Sequence, residues 1–175
     1  MKSSSDEKIA LEHQAARIFM RLYQHRFGVK MQHIWHNEPA KPDVSCYLEQ
    51  QRLDLEIAHL YGSEAEAMKI LGRELKGGTL DALQSLNQCP VADRLLQALD
   101  KLISNKAQKR YDSDRVWLVI RNAHPDWHAQ ELEQTPHLLQ IPSKHPFEQI
   151  WLVADMTGQA GLVPLYPLTL TQVPR

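Results

Sequence analysis

Three acidic residues in the first half of the chain have the types and the spacing that suit a divalent cation. The stretch 41-KPDVSCYLEQQRLDLEIAH-59 holds Asp43 directly after a proline, and then Asp54 and Glu56 two residues apart. Carboxylate oxygens are the ligands that Mg²⁺ and Mn²⁺ prefer in proteins. A cation held by such oxygens activates water and neutralises the charge that develops on a phosphate, which is the chemistry of phosphodiester hydrolysis.

Two predicted strands, over residues 43–48 and 53–60, position these acids as a hairpin joined through residues 49–52. The two-residue period of a strand sorts the second segment into two faces. One face carries Leu53, Leu55, Ile57 and His59, and the other carries Asp54, Glu56 and Ala58. Asp43 begins the neighbouring strand, so we expect it to converge with Glu56 at one end of the sheet. Acids this close repel one another unless they share a cation or one of them stays protonated.

The other elements predict a mixed α/β protein (α+β). Periodic apolar residues predict helices over residues 7–26, 64–75, 91–110 and 126–134, and residues 79–90 are predicted to form a short helix and a loop. Further strands are predicted over residues 31–36, 116–120 and 150–154, and residues 155–175 are predicted to form a closing strand or a packed loop. This order predicts a mixed central sheet of about five strands with helices on both faces.

Composition and charge limit the classes of protein that fit this chain. The 175 residues suit one domain, with residues 1–5 predicted to be frayed. The 20 Lys and Arg against 21 Asp and Glu leave a net charge of −1, so nucleic-acid binding requires local clustering of cations. Two cysteines exclude a disulfide framework, and no apolar run is long enough to span a membrane. We therefore expect a cytoplasmic protein that does not bind membranes.

The Pro42-Asp43 pair, the hairpin, and the acid within LDLEIAH resemble the core signature of the PD-(D/E)XK phosphodiesterase superfamily, which has the restriction-endonuclease-like fold. In that signature, Pro-Asp opens one strand and acid-x-Lys follows in the next. The family core of helix, three strands, helix and strand also matches the predicted element order. The resemblance covers most of residues 7–120.

The resemblance implies a metal-dependent nuclease, acting as an endo- or exonuclease on DNA or RNA. It implies Mg²⁺ or Mn²⁺ as the cofactor, with Asp43 and Glu56 as the metal ligands and Asp54 in support. Members of the family often add an acid from the first helix, and Glu12 is the candidate for that position.

The chain departs from the family pattern at Ala58, which stands where the family has lysine. In the family, that lysine stabilises the attacking water and the phosphate. One substitute is a shift of the motif by one alternating pair, which makes Asp54 the motif acid and places Glu56 in the lysine position. This alternative needs no additional cation.

A second substitute is a cation that comes from the helix end 105-NKAQKRY-111. Lys106 and Lys109 share one face of that helix at i and i+3. They are therefore candidates for the catalytic cation. Together with Arg110 and Tyr111, they are also predicted to bind the substrate.

Two functions without catalysis are also open. Ala58 and the near-neutral charge favour a nuclease fold that has lost its chemistry and serves as an interaction module for nucleic acid or for a protein. The apolar segment 161-GLVPLYPL-168 offers an interface for a homodimer. The nine histidines show no ligand spacing, and the sequence has no Gly-rich phosphate loop, GxSxG elbow or zinc spacing to support another enzyme class.

Overall fold

Three helices and six strands make up the described part of the chain in the computed structural model. It describes residues 4–37, 42–61, 91–124, 127, 129–167 and 169. The helices are α1 (Ser4–Phe27), α2 (Val91–Ala107) and α3 (Ala129–Gln134), with a 3₁₀ turn at Thr135–His137. The strands are β1 (Met31–His36), β2 (Val44–Leu48), β3 (Gln51–Leu60), β4 (Val116–Asn122), β5 (Gln149–Val153) and β6 (Leu162–Tyr166). The helices predicted over 64–75 and 79–90 lie outside the described residues.

The described strands form one mixed sheet in the order β1-β2-β3-β4-β5-β6. β2 is antiparallel to β1 and β3, whereas β4 and β5 run parallel to β3, and β6 is antiparallel to β5. The prediction of a mixed α/β protein is therefore confirmed. Six strands of the sheet lie in the described residues, against about five expected, because the segment after Asp155 forms β6.

Helices cover both faces of the sheet because the inner strands are apolar on both sides. On one face, Trp117 and Trp151 are buried in a cluster with Phe19 of α1. On the other face, Leu118 is buried in a cluster with Leu99 of α2. Asp54 and Glu56 of β3 lie on the same face as Ala58, which α2 covers. Any site that these two acids form is therefore largely shielded from water.

The β2–β3 hairpin is tighter than predicted. Its turn consists of Glu49 and Gln50, since Gln51 already pairs with Leu48. Glu49 adopts a left-handed φ of 58°. The sequence did not indicate this turn, because two-residue turns are usually recognised by an Asn-Gly or Asp-Gly pair, and neither pair is present in this segment.

Several predicted boundaries move by a few residues. α1 begins at Ser4 rather than at residue 7, and α2 ends at Ala107 rather than at residue 110. In the C-terminal segment, Val163 and Leu165 are buried in the core and form no exposed apolar surface. None of the described helices has the length and apolar character that a membrane crossing requires.

Candidate active site

The strand register brings Asp43 and Glu56 together at the start of β2. Val44 pairs with Leu55 and Ser45 with Asp54, so one further step places Asp43 opposite Glu56. The two carboxyl groups lie close enough for each to shift the pKa of the other. Asp43 Oδ2 also accepts the backbone N–H of Ile57 at 2.9 Å. The predicted convergence of these two acids is therefore present in the structure.

Two carboxyl groups this close to each other favour a state in which one of them keeps a proton. Burial, together with the hydrogen bond to Glu56 and its negative charge, raises the pKa of Asp43 from 3.8 to about 7. Burial also acts to raise the pKa of Glu56, but the hydrogen bond from Asp43, the charge of Lys106 and the hydrogen bond from Tyr111 lower it. At neutral pH Glu56 is therefore ionised and Asp43 is partly protonated.

Two groups donate to Glu56, one from the last turn of α2 and one from the segment that follows this helix. Lys106 Nζ lies 3.3 Å from Glu56 Oε2, and the Tyr111 hydroxyl donates to the same oxygen at 2.8 Å. Burial and the charge of Glu56 raise the pKa of Tyr111, so its hydroxyl keeps its proton. Ala58 is only 7 % exposed and packs in the cluster that contains α2. The cation beside the acid thus comes from α2 and not from the strand.

The other two residues of the predicted cationic helix end lie further from the carboxyl pair. The Lys109 backbone N–H donates to the Lys106 carbonyl at 3.2 Å, and the charge of Lys106, followed by burial, lowers the pKa of Lys109. The charges of Glu56 and Asp43 act in the opposite direction, which shows that both acids are near Lys109. Arg110 is exposed. Its role in substrate binding stays a prediction.

Glu12 of α1, the predicted accessory acid, is buried beside the pair at 5 % exposure. Its Oε1 lies 3.7 Å from Lys8 Nζ, and its Oε2 lies 3.7 Å from His36 Nε2. Burial raises the pKa of Glu12, and the charge of Glu56 adds to this effect. Because the charge of Glu12 also raises the pKa of Asp43, the three acids share one electrostatic environment.

His36 is a site residue that sequence reasoning missed. The two histidines of 33-HIWH-36 have opposite strand parity, so their spacing does not indicate a shared site. The available signal was the position of His36 at the end of β1, where it pairs with Val44, the neighbour of Asp43. In the structure this pairing places its imidazole next to Glu12.

Asp54, the third predicted acid, is held apart from the pair. Its Oδ1 accepts hydrogen bonds from Ser45 Oγ at 2.6 Å and Arg52 Nε at 3.1 Å, and its Oδ2 accepts one from Ser113 Oγ at 2.6 Å. The residue is 3 % exposed. Both oxygens are thus occupied by donors from β2, β3 and the loop before β4. This geometry favours a structural role and gives no support to a shift of the motif onto Asp54.

Substituting Asp54 with alanine is expected to lower the free energy of unfolding by roughly 2–4 kcal/mol, because the buried donors Ser45 and Ser113 lose their acceptor. Chemical denaturation followed by tryptophan fluorescence measures the change. Asp114→Ala, at an exposed position nearby, is the control and should change stability by less than about 0.5 kcal/mol. Equal stability of the Asp54 variant and the wild type would contradict the structural role.

The donor atoms of the carboxyl pair suit a hard divalent cation. Within the part of the chain that the structure describes, no three His, Cys, Asp or Glu side chains are arranged to hold a metal ion. Mg²⁺, however, is commonly bound by one or two carboxylates, with water and substrate phosphate oxygens completing its shell. Asp43 and Glu56 supply two such carboxylates once Asp43 has lost its proton. The pair therefore fits Mg²⁺ or Mn²⁺, and its cation affinity should rise with pH up to and beyond about 7.

Asp43→Asn is expected to stabilise the metal-free protein at high pH and to have little effect at low pH. The folded protein holds the Asp43 proton up to pH about 7, whereas the unfolded chain releases it near 3.8. The stability that this proton contributes is complete below the lower value and is lost as pH rises through the higher one. The asparagine amide donates to Glu56 at every pH, so the variant should be more stable by on the order of 2 kcal/mol above about pH 8.

Thermal melting in the presence of a chelator, at acidic and at alkaline pH, measures this difference. A gain of about 2 kcal/mol corresponds to a melting temperature that is roughly 4–8 °C higher. Asp114→Asn, which changes an exposed acid, should follow the wild type at both pH values. A stability difference that is the same at acidic and alkaline pH would show that the two carboxyl groups do not share a proton.

No protein-family model, curated protein or solved structure matches this chain. Its function is therefore inferred from the chemistry of the side chains that the fold brings together.

Proposed function

We propose that this protein hydrolyses phosphodiester bonds of nucleic acid with Mg²⁺ or Mn²⁺ held by Asp43 and Glu56. The observation that carries the proposal is that Asp43 lies opposite Glu56 across the hairpin, with the ammonium of Lys106 3.3 Å from Glu56. The buried Glu56 beside the partly buried Asp43 is costly without a cation, and a lysine beside them is suited to an anionic substrate. This combination is what phosphodiester hydrolysis requires.

The order and direction of the elements support a restriction-endonuclease-like fold as part of the same proposal. α1 precedes three consecutive antiparallel strands, and α2 leads into β4, which is parallel to β3. This is the helix, three strands, helix and strand order that the Pro-Asp motif implies. The acids also occupy the motif positions, with Asp43 at the start of β2 and Glu56 within β3.

Each residue of the site has a part in the proposed reaction. When bound to Asp43 and Glu56, the cation supplies Lewis-acid chemistry and lowers the pKa of bound water. Tyr111 orients Glu56 by donating to one of its oxygens. Lys106 stabilises the negative charge that develops on the phosphate, the role that the family assigns to the lysine replaced here by Ala58.

Two further residues lie around this centre. Lys109, next to Lys106, binds an adjacent phosphate of the substrate. Glu12 lies between Lys8 and His36 and adds negative charge that favours a bound cation. Neither contribution requires contact with the reacting phosphorus.

The test is a cleavage assay with plasmid, linear duplex DNA, single-stranded DNA and RNA, each with Mg²⁺, Mn²⁺ or a chelator at about pH 8, above the pKa of Asp43. Cleavage that requires the cation and is absent from Glu56→Gln supports the proposal. Equal cleavage by wild type and Glu56→Gln indicates a contaminating nuclease. The hydrolase is ruled out by the absence of cleavage together with the absence of any rise in melting temperature on adding Mn²⁺.

An interaction module without catalysis is the second candidate. It is favoured by two observations: Ala58 replaces the family lysine, and Lys106 already neutralises Glu56 through an ion pair. In that case the protein binds nucleic acid or a protein partner without a cation requirement. Nucleic-acid binding that is unchanged by chelator, without cleavage in any condition, distinguishes this function from the hydrolase.

A further inference from the structure

One continuous segment carries basic residues without any acidic residue, in a chain whose net charge is −1. Residues 13–36, in α1 and β1, contain no Asp or Glu. They contain Arg17, Arg21, Arg26 and Lys30, together with four histidines. This is the local clustering that binding to a polyanion requires when the protein as a whole is nearly neutral.

Four of these side chains follow one another along the outer side of α1. His13, Arg17, Arg21 and His25 are spaced by four residues, so they form one of the ridges that run along a helix surface. Arg17, Arg21 and His25 are exposed, and His13 is partly buried. Residues between them, such as Phe19, are buried against the sheet. We call these four residues the α1 ridge.

The arginines of the α1 ridge are not neutralised by the described part of the protein. Neither Arg17 nor Arg21 forms an ion pair with a carboxylate of a described residue. Arg21 Nη2 donates only to the Thr157 carbonyl, at 3.4 Å. A guanidinium that keeps most of its donors free is suited to bidentate recognition of phosphate.

The α1 ridge begins at the candidate active site. His13 follows Glu12 in the chain, and its ring centroid is 5.8 Å from that of His36. His36 Nε2 in turn lies 3.7 Å from Glu12 Oε2. A polyanion that reaches the carboxyl pair is therefore adjacent to the first residue of the ridge.

We infer that the α1 ridge binds the phosphodiester backbone of a nucleic acid and leads it to the carboxyl pair. This inference rests on the proposed function for the identity of the substrate. The ridge spans twelve residues, or about 18 Å along the helix axis. About five phosphates of one strand of B-form DNA fall within that length. The partner is thus a nucleic-acid strand, and its backbone is what the ridge recognises.

The test is the equilibrium binding of fluorescent oligonucleotides in chelator, which prevents cleavage, with arms of duplex DNA, single-stranded DNA and single-stranded RNA. The Arg17→Gln/Arg21→Gln variant should bind about tenfold more weakly at moderate salt, and its log–log salt dependence should be shallower by about two. The matched control Lys101→Gln/Lys144→Gln removes the same charge from exposed positions elsewhere and should bind like the wild type. Melting temperatures of both variants confirm folding.

Unchanged binding of the ridge variant in all arms overturns the inference, and so does equal weakening by the control variant. Failure of the wild type to bind any arm at low salt also overturns it. The proposed function fails separately. If the ridge variant weakens binding, but the wild type shows neither cleavage with any cation nor a rise in melting temperature on adding Mn²⁺, the hydrolase is wrong and the ridge stands. The arm that loses most affinity identifies whether the backbone is duplex or single-stranded.

Discussion

Glu56→Gln is expected to reduce the rate of nucleic-acid cleavage by at least about 10³-fold, equivalent to about 4 kcal/mol of transition-state stabilisation. The substitution keeps the size of the side chain and an oxygen that accepts from Tyr111. It removes the negative charge that, with Asp43, would hold the cation. Single-turnover cleavage at saturating Mn²⁺ measures the loss directly.

A second measurement separates this effect from unfolding. The rise in melting temperature on adding Mn²⁺ should be present in the wild type and absent in Glu56→Gln, because a ligand stabilises only the form that binds it. Glu7→Gln, at an exposed position in the first turn of α1, is the control and should keep both cleavage and the Mn²⁺ shift. A Glu56→Gln protein that cleaves within tenfold of the wild type contradicts the assignment of the metal ligand.

Lys106→Met is expected to lower kcat by about 10²–10³-fold while KM changes little, because an interaction made only in the transition state affects kcat alone. Lys106 is the described cation that directly contacts the carboxyl pair, because its ammonium lies 3.3 Å from Glu56. Lys106→Arg should recover part of the rate, since it restores the charge with a different shape. Lys101→Met, on the exposed side of the same helix, is the control.

Lys109→Met separates binding of the substrate from stabilisation of the transition state. Lys109 is hydrogen-bonded to Lys106 through the backbone, and no described hydrogen bond or ion pair joins it to Glu56. Its loss should therefore raise KM more than it lowers kcat. Steady-state kinetics of the two variants on the same oligonucleotide make the comparison. Equal effects of both substitutions on KM, with kcat unchanged, would assign Lys106 to substrate binding and leave catalysis without its lysine.

The sequence by itself determined that Asp43 and Glu56 meet. Antiparallel pairing and the two-residue period of strands are local rules. They place an acid that follows a proline before one strand next to an acid in the neighbouring strand. The helical spacing of Lys106 and the apolar periodicity of α1 and α2 are local in the same sense. These features predicted the mixed α/β architecture and the residues of the carboxyl site.

Only the tertiary structure determined which groups bind Asp54 and which groups bind Glu12. Asp54 is bound by Ser113, which is 59 residues away in the chain, and Glu12 by His36 at the end of another element. Such contacts follow from how helices and loops pack on the sheet, and no local pattern encodes them. The same holds for the proton of Asp43, because burial and a second carboxylate raise its pKa only when the folded chain has excluded water from around them.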